Sequence, residues 1–264
     1  MIKALFFDID GTLVSFKTHQ IPSSTLEALE RAREKGISIF ISTGRPKVLI
    51  TVLGQMEERG LIDGYITMNG AYCFVGDQVV GKQFMDADNA AYIMRYCEER
   101  NIPCIVVGEH DICTCQANEA YRDLFFNRLK AGFDIPETTT REVLAQGGEV
   151  LQLTAFITSE QEEEVSQKVN QVEYGRWTKE FADITPKGVT KQHGMDVVCG
   201  HFGIKLEETM SFGDGGNDIP MLRHAGVGVA MGNAVDAAKE VADYVTTSVD
   251  EDGVALALHH YGVI

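Results

Sequence analysis

Basic residues are scarce in this chain: 23 Lys and Arg stand against 39 Asp and Glu, a formal charge of −16 over 264 residues. That balance offers no electrostatic footprint for a polyanion, so nucleic acid and an anionic membrane surface are poor partners and a small molecule is the expected one. Long apolar runs are missing as well. No stretch approaches the ~20 residues that cross a bilayer, and the N-terminus enters a strand pattern at once instead of a basic segment followed by an apolar one. A cytoplasmic protein is the expectation. The six cysteines (Cys73, Cys97, Cys104, Cys113, Cys115, Cys199) form no CxxC pair and no zinc spacing, and Cys113-Thr114-Cys115 is too tight for an ordinary disulfide. A disulfide scaffold is thereby excluded, and reduced, mostly buried thiols are expected. The seven histidines make no HExxH, the glycines around Asp214 do not give GxGxxG, and no phosphate loop of the GxxxxGK type occurs. Neither an internal repeat nor a low-complexity linker is visible.

What is present is concentrated at the start. Ala4-Leu5-Phe6-Phe7 runs straight into Asp8-Ile9-Asp10-Gly11-Thr12, the pattern of a fully buried strand whose C-terminal end opens into a polar site. Positions i and i+2 of an extended segment project to one side, so Asp8 and Asp10 converge on one small volume. Two carboxylates that close repel unless a positive charge sits between them, and a hard cation such as Mg2+ suits them. A hairpin turn at Asp10-Gly11 would account for Asp10 and leave Asp8 unexplained.

Downstream, strand and helix alternate. Ser24 and Glu27 predict a capping box ahead of an amphipathic helix, and Ile37 to Ile41 predicts a second strand ending at Ser42-Thr43-Gly44-Arg45, with Pro46 opening the next helix. This is a βαβ unit of a parallel sheet, whose ligands bind beyond the carboxyl ends of the strands. Thr43 and Arg45 would then share a rim with Asp8, a hydroxyl and a guanidinium suited to an anion. Gly64 to Met68 reads as a third strand ending at Asn69-Gly70, and an antiparallel hairpin follows around Gly76-Asp77-Gln78. From residue 83 to 185 helical stretches (Ala87 to Arg100, Asn118 to Lys130, Ser159 to Gln171) mix with short β runs, an inserted α+β domain that carries 9 − 19 = −10 of the net charge. Trp177, Glu180, Phe181 and Asp183 lie near its return to the core; packing is the simpler reading of such residues, contact with a substrate the alternative. Alternation resumes after Pro186 with a helix bearing Lys191 near its start, then a strand leading into Gly213-Asp214-Gly215-Gly216-Asn217-Asp218, a second acidic loop at a helix start. The predicted fold class is α/β, a Rossmann-like doubly wound parallel sheet core (1–82 and 186–264) interrupted by the α+β insert (83–185).

Asp8-x-Asp10-Gly11-Thr12, Thr43, Lys191 and Gly213-Asp214-x-x-Asn217-Asp218, in this order, resemble the four motifs of the haloacid dehalogenase-like hydrolases. With Thr43-Gly44-Arg45, Asn69-Gly70, Ala230-Met231-Gly232-Asn233-Ala234 and the insert between the second and third motifs, the chain resembles the Cof-type (class IIB cap) phosphatases, and among them a bacterial sugar-phosphate phosphatase acting on hexose phosphates. The resemblance implies hydrolysis of a small phosphate ester through an aspartyl-phosphate on Asp8, with Asp10 as acid and then base. It implies Mg2+ held by the Asp8 carboxylate, the Asp10 main-chain carbonyl and Asp214, phosphate oxygens held by Thr43, Gly44, Lys191 and Asn217, and Asp218 orienting its loop. Arg45, Asn69 and Gly70 are left at the strand ends to meet the sugar, and the insert becomes a cap over the site that contacts the leaving group. A phosphomutase would use the same chemistry; a non-catalytic sugar-phosphate sensor would need neither Asp8 nor Asp10. The oligomeric state stays open, and a monomer suffices.

Overall fold

A computed structural model describes residues 1–128, 135–147, 149–176 and 178–264; Trp177 lies outside the described residues. The chain opens with β1 (Ala4–Phe7), α1 (Ser23–Glu34), β2 (Ser38–Ser42), α2 (Gly54–Glu58), β3 (Gly64–Thr67), β4 (Tyr72–Val75) and β5 (Gln78–Lys82). There follow α3 (Ala87–Glu99), β6 (Cys104–Val107), β7 (Ile112–Cys115), α4 (Glu119–Arg122), β8 (Glu137–Thr138), α5 (Thr140–Ala145), β9 (Gln152–Ala155), α6 (Ser159–Ser166), β10 (Val172–Gly175) and β11 (Ala182–Pro186). The last part holds α7 (Lys191–Phe202), β12 (Thr209–Gly213), α8 (Ile219–His224), β13 (Val227–Ala230), α9 (Asp236–Lys239), β14 (Tyr244–Val245) and α10 (Gly253–His260). Two compact units result: Met1–Lys82 with Val189–Ile264, and Gln83–Gly188.

In the first unit one sheet runs β14-β13-β12-β1-β2-β3-β4-β5. Six of its strands are parallel, while β4 and β5 close the end as an antiparallel pair. All four residues of β1 are buried, as a strand covered on both faces requires. Phe6 and Phe40 stack at 5.0 Å within a core cluster that includes Met195, Val198 and Cys199 of α7 and Met221 of α8; α1 packs on β2 and α10. From β1 the chain winds one way through β2 and β3, and after the insert it winds the other way through β12, β13 and β14. The order reverses between β1 and β12, the place where open α/β sheets bind ligands. The expected doubly wound α/β fold is borne out, with an antiparallel margin.

One local expectation fails. Helix α1 begins at Ser23 behind Pro22 and has no side-chain cap, because Ser24 sits one residue inside the helix and gives its hydroxyl to Asp252 at 2.5 Å. The hydroxyl is turned to donate to a carboxylate across the fold, a charge-assisted bond, and its oxygen does not accept from the first-turn amides.

The second unit is a six-stranded sheet, β10-β11-β9-β6-β7-β8, antiparallel except for β7 with β8. One face packs an apolar cluster with Ile93, Met94 and Cys97 of α3 and Val165 of α6. The helical stretch expected to begin at Asn118 is α4, passing into a wider π-turn over Asp123–Arg128; its expected end at Lys130 lies outside the described residues. Asp183 is buried, accepting from Thr154 Oγ1 at 2.6 Å, and Phe181 packs on Phe156 at 5.6 Å. Glu180 bonds to Thr178. All six cysteines are free thiols, five of them buried and Cys113 partly so.

Candidate active site

The site grows out of the pairing of β1 with β12. Phe7 stands opposite Phe212 in parallel register, their rings stacked at 4.6 Å, and the Asp8 amide donates to the Phe212 carbonyl at 3.1 Å. Asp8 and Asp214 therefore leave adjacent strands at the same end. Between them comes Lys191, fully buried at the first turn of α7. A cation at that end of a helix opposes the macrodipole, and an ammonium out of water is costly. Two carboxylates offset both penalties: Lys191 Nζ donates to Asp8 Oδ1 and to Asp218 Oδ1, each at 2.5 Å. Burial pushes the ammonium down, yet Asp218 and Asp8 outweigh it and hold Lys191 above its ordinary value. The other oxygen of Asp218 accepts from the backbone amides of Asp214 and Gly215 at 2.9 and 2.8 Å. Asp218 thus fixes the course of the acidic loop and the lysine together.

Asp10 has a different partner. Its oxygens accept from Arg45 Nη2 and Nε at 2.6 and 2.7 Å, a bidentate pair, while Arg45 Nη1 donates to the Leu49 carbonyl at 2.9 Å. The sequence reading left Arg45 for the sugar; here its guanidinium is committed to Asp10, the nearest anion with matching planar geometry. Burial lowers its tendency to hold a proton and the Asp10 charge more than restores it. Thr43, buried behind this pair, accepts the Arg45 amide at its hydroxyl (3.1 Å), and its carbonyl accepts the Asn69 amide at 3.0 Å. Gly44 sits in the bend between Thr43 and Arg45. Asn217 Nδ2 donates to Asn69 Oδ1 at 3.0 Å, joining the loop after β12 to the turn after β3. Gly70 serves the backbone: at φ +102° any Cβ would stand 2.3 Å from the Thr190 carbonyl, so the turn can lie on the start of α7 only with glycine.

Asp214 is gripped by residues that belong to recognisable motifs but to which the sequence assigns no role. Thr12 Oγ1 donates to its Oδ1 at 3.1 Å, and Asn233 Nδ2 donates to its Oδ2 at 3.3 Å. Gly11, at φ +85°, lets the carboxylate lie against the backbone, since a Cβ there would come within 2.3 Å of Oδ2. Thr12 was visible as part of the first motif and Asn233 as part of a late Gly-Asn-Ala run, but neither position reveals its partner in the sequence.

The site is short of positive charge. Ligand atoms of Asp8, Asp214 and Asp218 lie within 4.8 Å of one another, with Lys191 the shared cation. Burial, and then the neighbouring carboxylates, push Asp214 up to about 8. Burial also raises Asp8 to about 7, against the pull of Lys191. Asp8 and Asp214, whose ionisation burial and like charge oppose, make together with Asp218 an oxygen donor set that fits a hard divalent cation. The sequence reading grouped Asp8, Asp10 and Asp214 around the metal. Asp218 also belongs to the carboxylate cluster, whereas the Asp10 side chain is turned to Arg45, and the expectation for Asp10 concerns its main-chain carbonyl.

A family model of haloacid dehalogenase-like hydrolases matches residues 5–258. The chain belongs to this family. The haloacid dehalogenase-like chain is 32% identical over 262 residues to Bacillus subtilis YkrA, covering 99% of this chain and 98% of the relative. It is 30% identical to the Bacillus subtilis 5-amino-6-(5-phospho-D-ribitylamino)uracil phosphatase YcsE, covering 98% and 96%. Among solved structures it is similar to the haloacid dehalogenase subclass IIB sugar phosphatase BT4131, at 55% identity and a TM-score of 0.96 over 99% of this chain and 100% of that one. It is also similar to BT1666 of Bacteroides thetaiotaomicron, at 33% identity and a TM-score of 0.87 over 100% and 96%. This haloacid dehalogenase-like protein is a phosphatase, a phosphoric monoester hydrolase. Phosphatases of the family generally use Mg2+, and the Asp8, Asp214 and Asp218 cluster could hold a metal ion. No helix among the described residues is long and apolar enough to cross a membrane.

Proposed function

We propose that this phosphatase hydrolyses small sugar phosphates, hexose and pentose phosphates above all, with Mg2+ and through an aspartyl-phosphate on Asp8. The observation that carries the reading is the division of the two carboxylates after β1: Asp8 is held by Lys191 and Asp10 by Arg45. Each is therefore fitted to a different task. Asp8, fixed at 2.5 Å from the ammonium, is oriented to attack phosphorus, replacing one hard displacement by two easier ones. Asp10, two residues on and outside the metal cluster, protonates the leaving oxygen and then takes a proton from water, a role worth roughly 100- to 10,000-fold. Lys191, Thr43 and Asn217 stabilise the oxygens of the transferred group. Mg2+ held by Asp8, Asp214 and the Asp10 carbonyl would supply positive charge that screens the anionic nucleophile from the anionic ester. Preference for sugars is supported by the 55% identity to a sugar phosphatase along the whole chain, and discrimination among esters falls to the inserted unit.

The test is a phosphate-release assay with Mg2+ over sugar phosphates, nucleotides and phosphoamino acids, with product analysis and an Asp8→Asn control. Free sugar plus inorganic phosphate from several sugar phosphates, lost in Asp8→Asn, is the expected result. An isomeric sugar phosphate as product would replace the reading with a phosphomutase, and tight binding without turnover would replace it with a sensor.

A further inference from the structure

Asn233 lies in the turn after β13, exposed at the surface, and yet its amide is fully used. Nδ2 donates to the Gly11 carbonyl at 2.8 Å and to Asp214 Oδ2 at 3.3 Å, and Oδ1 accepts the Val249 amide at 2.9 Å. One side chain thereby ties together the loop that carries Asp8 and Asp10, the loop that carries Asp214, and the segment that leads into α10. Two acceptors and one donor must be met from a single short side chain, and only a primary amide offers two N–H groups and a carbonyl on so short a stem. An aspartate could not donate, and a serine is too short to span all three. An exposed residue contributes little to core packing, so this arrangement makes sense chiefly for what it holds.

We propose that Asn233 is a positioning residue for the metal site: it fixes the Asp214 carboxylate against the backbone of Gly11 and so presents it, together with Asp8, to a divalent cation. The proposal rests on the reading of the Asp8 and Asp214 cluster as a Mg2+ site. Asp214 Oδ1 is oriented by Thr12 and Oδ2 by Asn233, so loss of the amide frees the carboxylate to rotate away from its neighbours. Outer partners of metal-binding carboxylates change affinity by about 10- to 100-fold when removed, and a change in that range is expected here.

The experiment is a thermal-shift titration of the full chain with MgCl2 after chelation, without substrate, comparing wild type with Asn233→Ala. The midpoint concentration of the Mg2+-dependent stabilisation should rise at least tenfold in the variant, while the melting temperature of the metal-free protein changes little. A residue that merely braces the fold would do the opposite, lowering the metal-free melting temperature and leaving the Mg2+ midpoint in place; that result overturns the proposal. If wild type itself shows no Mg2+-dependent shift, the metal reading fails and the proposal with it, an outcome distinct from a wild type that responds and a variant that responds equally. Should Asn233→Ala not fold, Asn233→Ser keeps a hydroxyl in the turn without the reach to Gly11, Asp214 and Val249 together, and an unchanged midpoint there also refutes the role.

Discussion

The charge deficit around Asp214 makes Asp214→Asn a mutation that should stabilise the metal-free protein. In the fold this carboxyl is pushed from 3.8 up to about 8, so between those values the folded state holds a proton that the unfolded chain has released. Stability then falls as pH rises through that window. Below about pH 4 both states are protonated and the penalty is absent; near pH 8 it is complete. A shift of this size would correspond to roughly 6 kcal/mol if Asp214 titrated alone. Because Asp8, itself raised to about 7, carries part of the same repulsion, the pair titrates together and one substitution relieves about 2 kcal/mol. Asparagine keeps an oxygen for the Thr12 hydroxyl and sheds the charge; its amide nitrogen forgoes the long 3.3 Å bond from Asn233 Nδ2, a smaller loss than the charge relieved. Chelated variant and wild type should melt together at pH 4 and separate by about 5 °C at pH 8, the variant higher. With saturating Mg2+ the order should reverse, since the wild type gains the cation's binding free energy and the variant loses much of it. A variant less stable than wild type at both pH values without metal, or a difference that does not grow with pH, would refute the account of an uncompensated carboxylate cluster.

Further outcomes follow from the same geometry. In chelator-treated protein Mg2+ should restore turnover and Ca2+ should do so poorly, because its looser coordination misplaces the phosphate; full activity in excess chelator would remove the metal from the reaction. Gly70→Ala sets a Cβ 2.3 Å from the Thr190 carbonyl at a left-handed φ, and urea unfolding should register a loss of about 2 kcal/mol. Exchanging the inserted unit, Gln83–Gly188, for that of a family member with another substrate preference should change the ranking of kcat/KM among sugar phosphates while turnover still depends on Asp8. An active chimera with an unchanged ranking would return the search for specificity to the strand ends near Asn69.

How much of this was legible in the chain divides along a physical line. Strand β1, its register of two carboxylates, the alternation of strand and helix and the position of the insert follow from local periodicity and turn chemistry, and so could be read directly from residues. The family resemblance worked for the same reason, since its motifs are short runs at strand ends. Partner choice is different. That Asp10 pairs with Arg45, that Lys191 bridges Asp8 and Asp218, that Ser24 abandons its helix for Asp252, and that Asn233 reaches Gly11 across 222 positions depend on which loops the sheet brings to one edge. A side chain's donors and acceptors are fixed by its chemistry, but burial decides how much an unmet charge costs, and only the assembled sheet decides which neighbour meets it. The sequence by itself determined the strands, their alternation with helices and the carboxylates at their ends. Tertiary structure alone decided which cation each carboxylate keeps, because the reversal between β1 and β12 brings together loops that are far apart along the chain.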